Sequence, residues 1–208
     1  MTELAADECE FVLVNRHIDA IAERCITLDN ELGGYIATRH LLDAGHRQIA
    51  YVAGPMWKKD ASDRYAGHQR ALSEFGVSEN PAAFFEGDFH ETSGIAALRH
   101  LIGQAVPFTA IVCANDEMAA GALSEAHDLD LHVPAQFSIV GFDNINFAHY
   151  TYPKLTTVAY PIGEIGEMAA YWILNHVYQK PSKALQASFK PKLVNRDSTA
   201  QTSCHPFA

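Results

Sequence analysis

The sequence predicts an α/β fold built on a parallel sheet, and three observations support this prediction. Short runs rich in β-branched and aromatic residues alternate with segments of helical periodicity along the 208 residues. The run Phe108–Ala114 is apolar almost throughout, as expected of a central strand that is buried on both faces. The composition is 48% hydrophobic and 19% charged, which is typical of a globular domain and excludes global disorder.

The individual elements follow from apolar periodicity and from the residues that begin and end helices. Glycines 45, 76 and 103 are predicted to end three helices. Thr92 is predicted to cap the N-terminus of the helix that Gly103 ends, and Asn115 that of the next helix. Strands are predicted at 11–15, 25–29, 48–53, 82–85, 108–114, 137–142, 155–158 and 189–195, and helices at 31–44, 62–75, 92–102, 117–129 and 162–178.

The order of these elements predicts two lobes. The consecutive units between Gln48 and Phe142 make one doubly wound lobe. The helix 162–178 is amphipathic but has no local partner for its apolar face, which implies a second lobe of which this chain holds a part. We therefore assign residues 1–47 to an incomplete N-terminal lobe, 48–158 to a C-terminal lobe, 159–185 to a crossover helix that returns to the N-terminal lobe, and 186–208 to a strand and tail of the C-terminal lobe.

Charge and cysteine usage narrow the class of protein. The sequence has 25 Asp and Glu residues and 15 Lys and Arg residues, so its net charge is −10. This chain is therefore not expected to bind nucleic acid by itself. No apolar run reaches the length of a membrane span, so no membrane partner is expected. The cysteines (Cys9, Cys25, Cys113 and Cys204) form no metal-binding spacing and predict free thiols in a reducing cytoplasm.

Polar residues follow several of the predicted strands, where ligands of open α/β sheets bind. They lie at 15–16, 29–30, 54–64, 87–89, 115–116 and 143–144. Asp, Asn and Arg beside an aromatic ring suit a neutral polyhydroxy ligand, although Asp and Asn at such junctions also serve as helix caps. Arg64 lies near a predicted helix start, where the macrodipole disfavours a cation, and this predicts a carboxylate or a ligand as its partner.

Motifs for catalysis are absent from the sequence. It contains no G-x-S-x-G, no P-loop and no G-x-G-x-x-G. Asp88, His90 and Glu91 could be drawn as a metal site, but neighbouring loop residues seldom converge on one ion without more distant ligands. We therefore predict a protein that is not an enzyme and that has no cofactor and no metal.

An ordered set of motifs between residues 11 and 198 resembles the effector-binding core of the LacI/GalR family of bacterial transcription regulators. Three segments (24–29, 37–41 and 160–162) look most like its galactose-repressor branch. The motifs are Val12-Leu-Val-Asn-Arg16, Leu28-Asp-Asn-Glu-Leu-Gly-Gly34, His40-Leu-Leu-Asp-Ala-Gly-His-Arg-Gln-Ile-Ala50, Asp63-Arg-Tyr-Ala-Gly67, Gly87-Asp-Phe89, Ser93-Gly94, Thr109 to Leu123, Val133-Pro134, Ser138-Ile-Val-Gly-Phe-Asp-Asn144 and Pro153-Lys-Leu-Thr-Thr-Val158.

The resemblance implies a periplasmic-binding-protein-like fold of two Rossmann-like, doubly wound lobes, with a small-molecule effector between them. It assigns Arg64 as the main polar clamp of a sugar and Asp143 as an acceptor of its hydroxyl groups. It places Asn115 on the floor of the cleft and Phe89 as the stacking aromatic. It implies galactose or a related hexose as the effector, while purines and nucleosides are also bound by this family.

Three further positions carry over from the resemblance. Asp60 and Asp29 match polar positions of the cleft or its rim, and Tyr160 matches a crossover close to the cleft. The family is dimeric, so a homodimer is expected, with the helix from Ile162 at the partner contact. The family's helix-turn-helix head and the first half of its N-terminal lobe are not matched, so operator DNA is expected to be bound only through a domain that this chain lacks.

The leading hypothesis is therefore the ligand-sensing domain of a cytoplasmic LacI-type repressor. The alternative is a periplasmic-type sugar-binding protein for transport or chemotaxis, which would share the fold. A sugar-active enzyme ranks last, because no nucleophile or acid–base pair stands out. Replacement of Arg64 or Asp143 by alanine is expected to abolish effector binding with little loss of stability.

Overall fold

The structure is a computed structural model that describes residues 10–180 and 184–202. The strands are β1 (Leu13–Val14), β2 (Cys25–Leu28), β3 (Ile49–Ala53), β4 (Phe84–Glu86), β5 (Ala110–Cys113), β6 (Ser138–Asp143), β7 (Thr156–Ala159), β8 (Ser188–Phe189) and β9 (Lys192–Val194). The α-helices are α1 (Asn30–Asp43), α2 (Lys59–Glu74), α3 (Glu91–Gly103), α4 (Asp116–Asp128) and α5 (Ile162–His176). Short 3-10 helices occupy Asp19–Arg24, Pro81–Ala83 and Asn146–His149.

The described chain divides into two compact units. The first comprises the described residues up to Asp29 and those of the segment Pro161–Lys190. The second comprises Asn30–Tyr160 and the described residues from Pro191 onward.

A six-stranded sheet forms the centre of the second unit. Its strand order is β4-β3-β5-β6-β7-β9, and every neighbouring pair is parallel except β7 with β9. All residues of β3 and β5 are buried, which explains why these strands are apolar without alternation. The register sets Ile49 opposite Ala110 and Ile111 opposite Ile139, so the branched side chains of the three central strands share the core.

Helix α1 packs against α2 at very close range within this unit. A Cβ atom on Gly34 would overlap the backbone carbonyl of Arg64, and one on Gly67 would overlap that of Glu31. Glycine at these two positions therefore lets the two helix backbones touch. The contact also fixes the height of the Arg64 side chain above the sheet, because Arg64 lies at the crossing.

The first unit has its own small parallel sheet, in the order β1-β2-β8. Helix α5 packs on β1 and β2. Its Trp172 is 3% exposed, and the indole Nε1 donates to the carbonyl of Glu23 at 2.8 Å. Ile165 and Trp172 on the apolar face of α5 are thus buried, and α5 belongs to the first unit.

The structure divides the chain at other residues than the sequence predicts. The helix predicted in the N-terminal lobe, α1, belongs to the second unit because of its glycine contact with α2. The single strand predicted at 189–195 is interrupted at Lys190 and Pro191. Its first half pairs with β2 in the first unit, and its second half pairs with β7 in the second.

Two predicted caps have different outcomes. The Asn115 side chain accepts from the backbone N–H of Met118 at 3.0 Å, which confirms it as the cap of α4. Thr92 is not the cap of α3, because the helix begins one residue earlier and His90 stands before it without a side-chain cap bond. Cys25 and Cys113 are buried free thiols, as predicted, while Cys9 and Cys204 lie outside the described residues.

No helix among the described residues is long and apolar enough to cross a membrane.

Candidate ligand site

Arg64 is a buried cation at the carboxyl edge of the six-stranded sheet. Helix α2 begins at Lys59, before the predicted start, so Arg64 lies in the second turn and not at the N-terminus. Its side chain is 5% exposed. The guanidinium Nε donates to Asn30 Oδ1 at 2.9 Å, Nη1 donates to the carbonyl of Ala114 at 2.5 Å, and Cζ lies 3.7 Å from the centre of the Phe142 ring.

Asp143 is the carboxylate partner that the sequence predicts for Arg64. Its Oδ1 lies 3.5 Å from Arg64 Nη2, and its side chain is 25% exposed. Burial raises the pKa of Asp143 to about 6, and the negative charges of Asp60 and Glu117 act in the same direction. The positive charge of Arg64 opposes this shift. The carboxylate therefore ionises near neutral pH, in a place where one neighbouring cation favours the anion.

Asp60 and Tyr160 lie within electrostatic reach of this pair. The Asp60 side chain, in the first turn of α2, accepts from the N–H of Ala61 at 3.1 Å. Tyr160 follows β7, and its N–H donates to the carbonyl of Asp143 at 3.3 Å. Burial raises the pKa of Tyr160; Arg64 opposes this shift and the charges of Asp143 and Asp60 add to it. These four side chains form one polar cluster beyond the ends of β6 and β7.

Asn115 and Phe89 lie at the neighbouring strand ends. Asn115 is 6% exposed, and besides its capping bond its Nδ2 donates to the carbonyl of Phe89 at 2.7 Å. Within residues 10–180 and 184–202, the second N–H of this amide is left to donate to a ligand. Phe89 has φ +76°, and its ring lies where a side chain on Gly54 would stand. The ammonium of Lys58 lies 5.2 Å from the centre of that ring.

Asp29, the seventh predicted residue, belongs to the first unit. It follows β2 and its N–H donates to the carbonyl of Phe189 at 3.0 Å, with the side chain half-buried. The structure thus brings six of the predicted residues to one edge of the second unit. The roles of all seven residues in ligand binding stay predictions.

Three further residues shape the site. The sequence placed Asn30 and Asp116 only among the polar residues that follow strands, and it missed Phe142. Asn30 and Phe142 hold the Arg64 guanidinium, one by a hydrogen bond and the other through its ring face. Asp116 is fully buried, and burial raises its pKa to about 7. Asn30 and Asp116 are the first residues of α1 and α4, shortly after β2 and β5, where polar side chains were expected. Nothing local in the sequence shows which partner each one meets.

The loop cluster considered as a metal site has another composition in the structure. His90, Glu91 and Glu117 bring their ligand atoms within 4.8 Å of one another, whereas Asp88 accepts from Ser93 Oγ and from the N–H of His90. His90 and Glu91 are exposed, and exposed acidic groups often cluster without a metal. The residues that converge therefore differ from the set considered in the sequence, since Glu117 stands in the place of Asp88.

Comparison with known proteins places this geometry in a family. The family described as a periplasmic binding protein-like domain matches residues 38–199. The HTH-type transcriptional regulator GalR of Escherichia coli is 38% identical over 192 residues, which are 92% of this chain and 56% of that protein. The chain spans about half the length of the curated relatives it matches.

Two solved structures extend the comparison. A LacI-family transcriptional regulator from Burkhoderia phymatum is 32% identical, with a TM-score of 0.91 over 96% of this chain and 72% of that one. A LacI-family regulator from Enterococcus faecium, solved with bound ribose, is 26% identical, with a TM-score of 0.85 over 97% of this chain and 75% of that one. The chain therefore belongs to the LacI/GalR family, whose periplasmic-binding-protein-like effector-binding core it contains.

Proposed function

We propose that this chain is the ligand-sensing part of a LacI-type transcriptional regulator and binds a small sugar. The observation that carries the proposal is the Arg64–Asp143 pair at the carboxyl edge of the sheet. Of the five guanidinium N–H groups, two donate to Asn30 and Ala114 in the described structure. The remaining donors and the Asp143 carboxylate can together bind adjacent hydroxyl groups.

The surroundings of the pair suit a sugar ring. Tyr160 and Asp60 add hydroxyl and carboxylate groups, and the half-buried ring of Phe89 offers an apolar face for sugar C–H groups. The ribose bound to the Enterococcus faecium relative supports a sugar as the class of effector. Galactose or a related hexose is the specific proposal, supported by the galactose-repressor-like segments and by the similarity to GalR.

Sugar binding would act on transcription by shifting a conformational equilibrium of the whole regulator in the cytoplasm. Operator DNA would be bound by a helix-turn-helix segment carried elsewhere in the full-length protein. The match to a regulator over 92% of this chain favours this hypothesis over a transport protein.

The regulator is proposed to be a homodimer, with α5 contributing to the contact. Ile162 at the start of α5 is 63% exposed, so its apolar side chain is accessible to a partner subunit. Sedimentation should give twice the mass of 22.8 kDa for the chain, and Ile162→Glu should weaken the dimer. A monomer at micromolar concentration would overturn this part of the proposal.

Calorimetric titration with D-galactose, D-glucose and D-ribose, and with adenine as a chemically different probe, tests the proposal. At least one sugar should bind, and Arg64→Lys should weaken its binding at least tenfold because lysine cannot reproduce the planar fork. Arg99→Lys is the matched control, because Arg99 is mostly exposed and pairs with Glu125 on the helical side of the unit. Binding of adenine alone, or equal sugar affinity of Arg64→Lys and the parent, would refute a sugar site at Arg64.

A further inference from the structure

The turn that follows β6 is held in an unusual backbone conformation. Asp143 has φ +110° and Asn144 has φ +56°, values that residues other than glycine rarely adopt. Such a conformation persists only where surrounding contacts enforce it. Because Asp143 is the first of these residues, the contacts that hold the turn also decide where its carboxylate points.

Those contacts converge on Asp116. One carboxylate oxygen, Oδ2, accepts from the N–H of Ile145 at 2.9 Å, and the other, Oδ1, accepts from Thr157 Oγ1 at 2.5 Å. The same Thr157 hydroxyl accepts from the N–H of Asn144 at 3.3 Å. Arg196 adds a bond from Nη2 to Asn144 Oδ1 at 2.5 Å. Asp116 is thus bonded directly to one residue of the turn and through Thr157 to another.

The burial of Asp116 makes this arrangement costly. The residue is fully buried, and a side chain on Gly141 would overlap Asp116 Oδ1, so β6 leaves room for the carboxylate. Its position at the start of α4, with the two hydrogen bonds and the nearby Arg196, compensates the charge only in part, since burial still dominates its pKa. Burial of a carboxylate lowers the stability of the fold. Its two oxygens can, however, hold two hydrogen-bond donors at a fixed spacing.

We infer that Asp116 is a positioning residue that, together with Thr157, holds the Asp143 carboxylate toward Arg64. Asp116 itself touches neither Arg64 nor any ligand in this assignment. The consequence for sugar affinity rests on the proposed function, but the position of Asp143 does not, so it can be tested without a sugar.

The test is a pH titration of the Arg64 Nε–H resonance by nuclear magnetic resonance in the 208-residue chain. In the parent this resonance should show a step near pH 6, and Asp143→Asn should abolish the step, which assigns it to Asp143. Asp116→Ala should reduce its amplitude at least twofold, because the unsupported turn lets the carboxylate leave Arg64. Asp116→Asn keeps an acceptor for Ile145 and should restore most of the amplitude.

The matched control is Glu125→Ala, which removes the other buried carboxylate of α4, 3% exposed and bonded by Arg99. It should lower the unfolding temperature but leave the Arg64 step unchanged. If Asp116→Ala does not fold, Thr157→Val tests the same bridge, with the same expected loss of amplitude. An unchanged step in folded Asp116→Ala or Thr157→Val, or an equal loss in Glu125→Ala, would overturn the inference while leaving the sugar-binding proposal untouched.

Discussion

The six-stranded sheet buries polar groups differently where its parallel strands begin, at its amino edge, and where they end, at its carboxyl edge. At the amino edge the groups are neutral and bonded to one another: His46 is hydrogen-bonded to Thr109 Oγ1 at 2.8 Å and to the carbonyl of Ala200 at 3.1 Å, with Ser138 Oγ at 3.2 Å. At the carboxyl edge the groups are charged, and Arg64 and Asp143 stand at ion-pair distance beside a turn with positive φ.

Because of this difference, the amino edge contributes mainly to stability and the carboxyl edge mainly to ligand binding. A neutral network whose members satisfy one another fixes the strand ends without the cost of burying charge. Charged groups that are paired only in part lower stability, but they leave donors and acceptors for another molecule. Substitutions at the amino edge should therefore change stability without changing sugar affinity, whereas substitution of a group that faces the ligand at the carboxyl edge should change sugar affinity.

The largest expected effect is that of His46→Ala at the amino edge. It removes a side chain that is 3% exposed and leaves Thr109 and Ser138 without a partner ring, so the free energy of unfolding should fall by about 2–3 kcal/mol. Urea unfolding measures the loss, and titration with the sugar that binds best should show affinity within twofold of the parent. A tenfold change in sugar affinity would show that the two edges are not independent.

Asp143→Asn should have the reverse pattern. Because burial opposes the Asp143 anion, the neutral amide should change the free energy of unfolding by no more than about 1 kcal/mol at pH 7.5. Sugar affinity should fall at least tenfold, about 1.4 kcal/mol, because a charged acceptor is lost.

Glu125→Gln is the control for Asp143→Asn, since it alters a buried carboxylate of the same unit that is bonded to Arg99. It should lower stability without changing sugar affinity. Equal sugar binding by Asp143→Asn and the parent would remove Asp143 from the site.

From the sequence, Arg64→Ala is expected to cause little loss of stability, but the structure predicts a substantial loss. Arg64 is buried and donates to Asn30 and Ala114, so Arg64→Ala would remove both hydrogen bonds and leave a cavity beneath the site. The sequence showed that Arg64 needed a partner, but it could not show how deeply the α1–α2 crossing buries the side chain. This is why Arg64→Lys is the sharper variant for binding.

Other parts of the fold were predictable to different degrees. The strands of the second unit follow from apolar runs, because a buried parallel strand carries its signal in its own residues. The cap at Asn115 is local in the same sense. The assignment of α1 to the second unit and the bond between Asp116 and Thr157 join residues far apart in the chain, and no local pattern encodes such pairs.

Stability should respond to pH in opposite directions at the two edges. Burial raises the pKa of Asp116 from 3.8 to about 7, so its contribution to stability is complete below pH 3.8 and is lost as pH rises through 7. Burial lowers the pKa of His46 below 6.5, so its contribution is present above pH 6.5 and is lost as pH falls through the folded-state pKa.

Asp116→Asn removes the first of these contributions. Between pH 5 and 7 the free energy of unfolding of the variant should rise relative to the parent, by up to about 1.4 kcal/mol per pH unit. Urea unfolding at pH 5 and pH 7 measures the difference. If the two proteins had the same pH dependence, Asp116 would titrate at its ordinary pKa, and its negative charge would not destabilise the folded protein.

Trp57→Ala should have the smallest effect on stability and shows how far the carboxyl edge extends. Trp57 is 79% exposed, so its loss should change the free energy of unfolding by about 0.5 kcal/mol or less. The ammonium of Lys58 lies 5.5 Å from its ring and 5.2 Å from that of Phe89, the proposed stacking residue. A sugar that stacks on Phe89 should therefore displace Lys58 and change the fluorescence of Trp57.

The chain has two tryptophans, and the other, Trp172, is buried in the first unit. If the sugar acts at the carboxyl edge of the second unit, Trp57→Ala should retain affinity within twofold but lose the sugar-dependent change in fluorescence, whereas Trp172→Phe should keep it. The reverse result would place the response in the first unit, around Trp172 and His176, whose rings stack at 4.1 Å. Residues beyond the carboxyl edge of the second unit would then also respond to sugar binding.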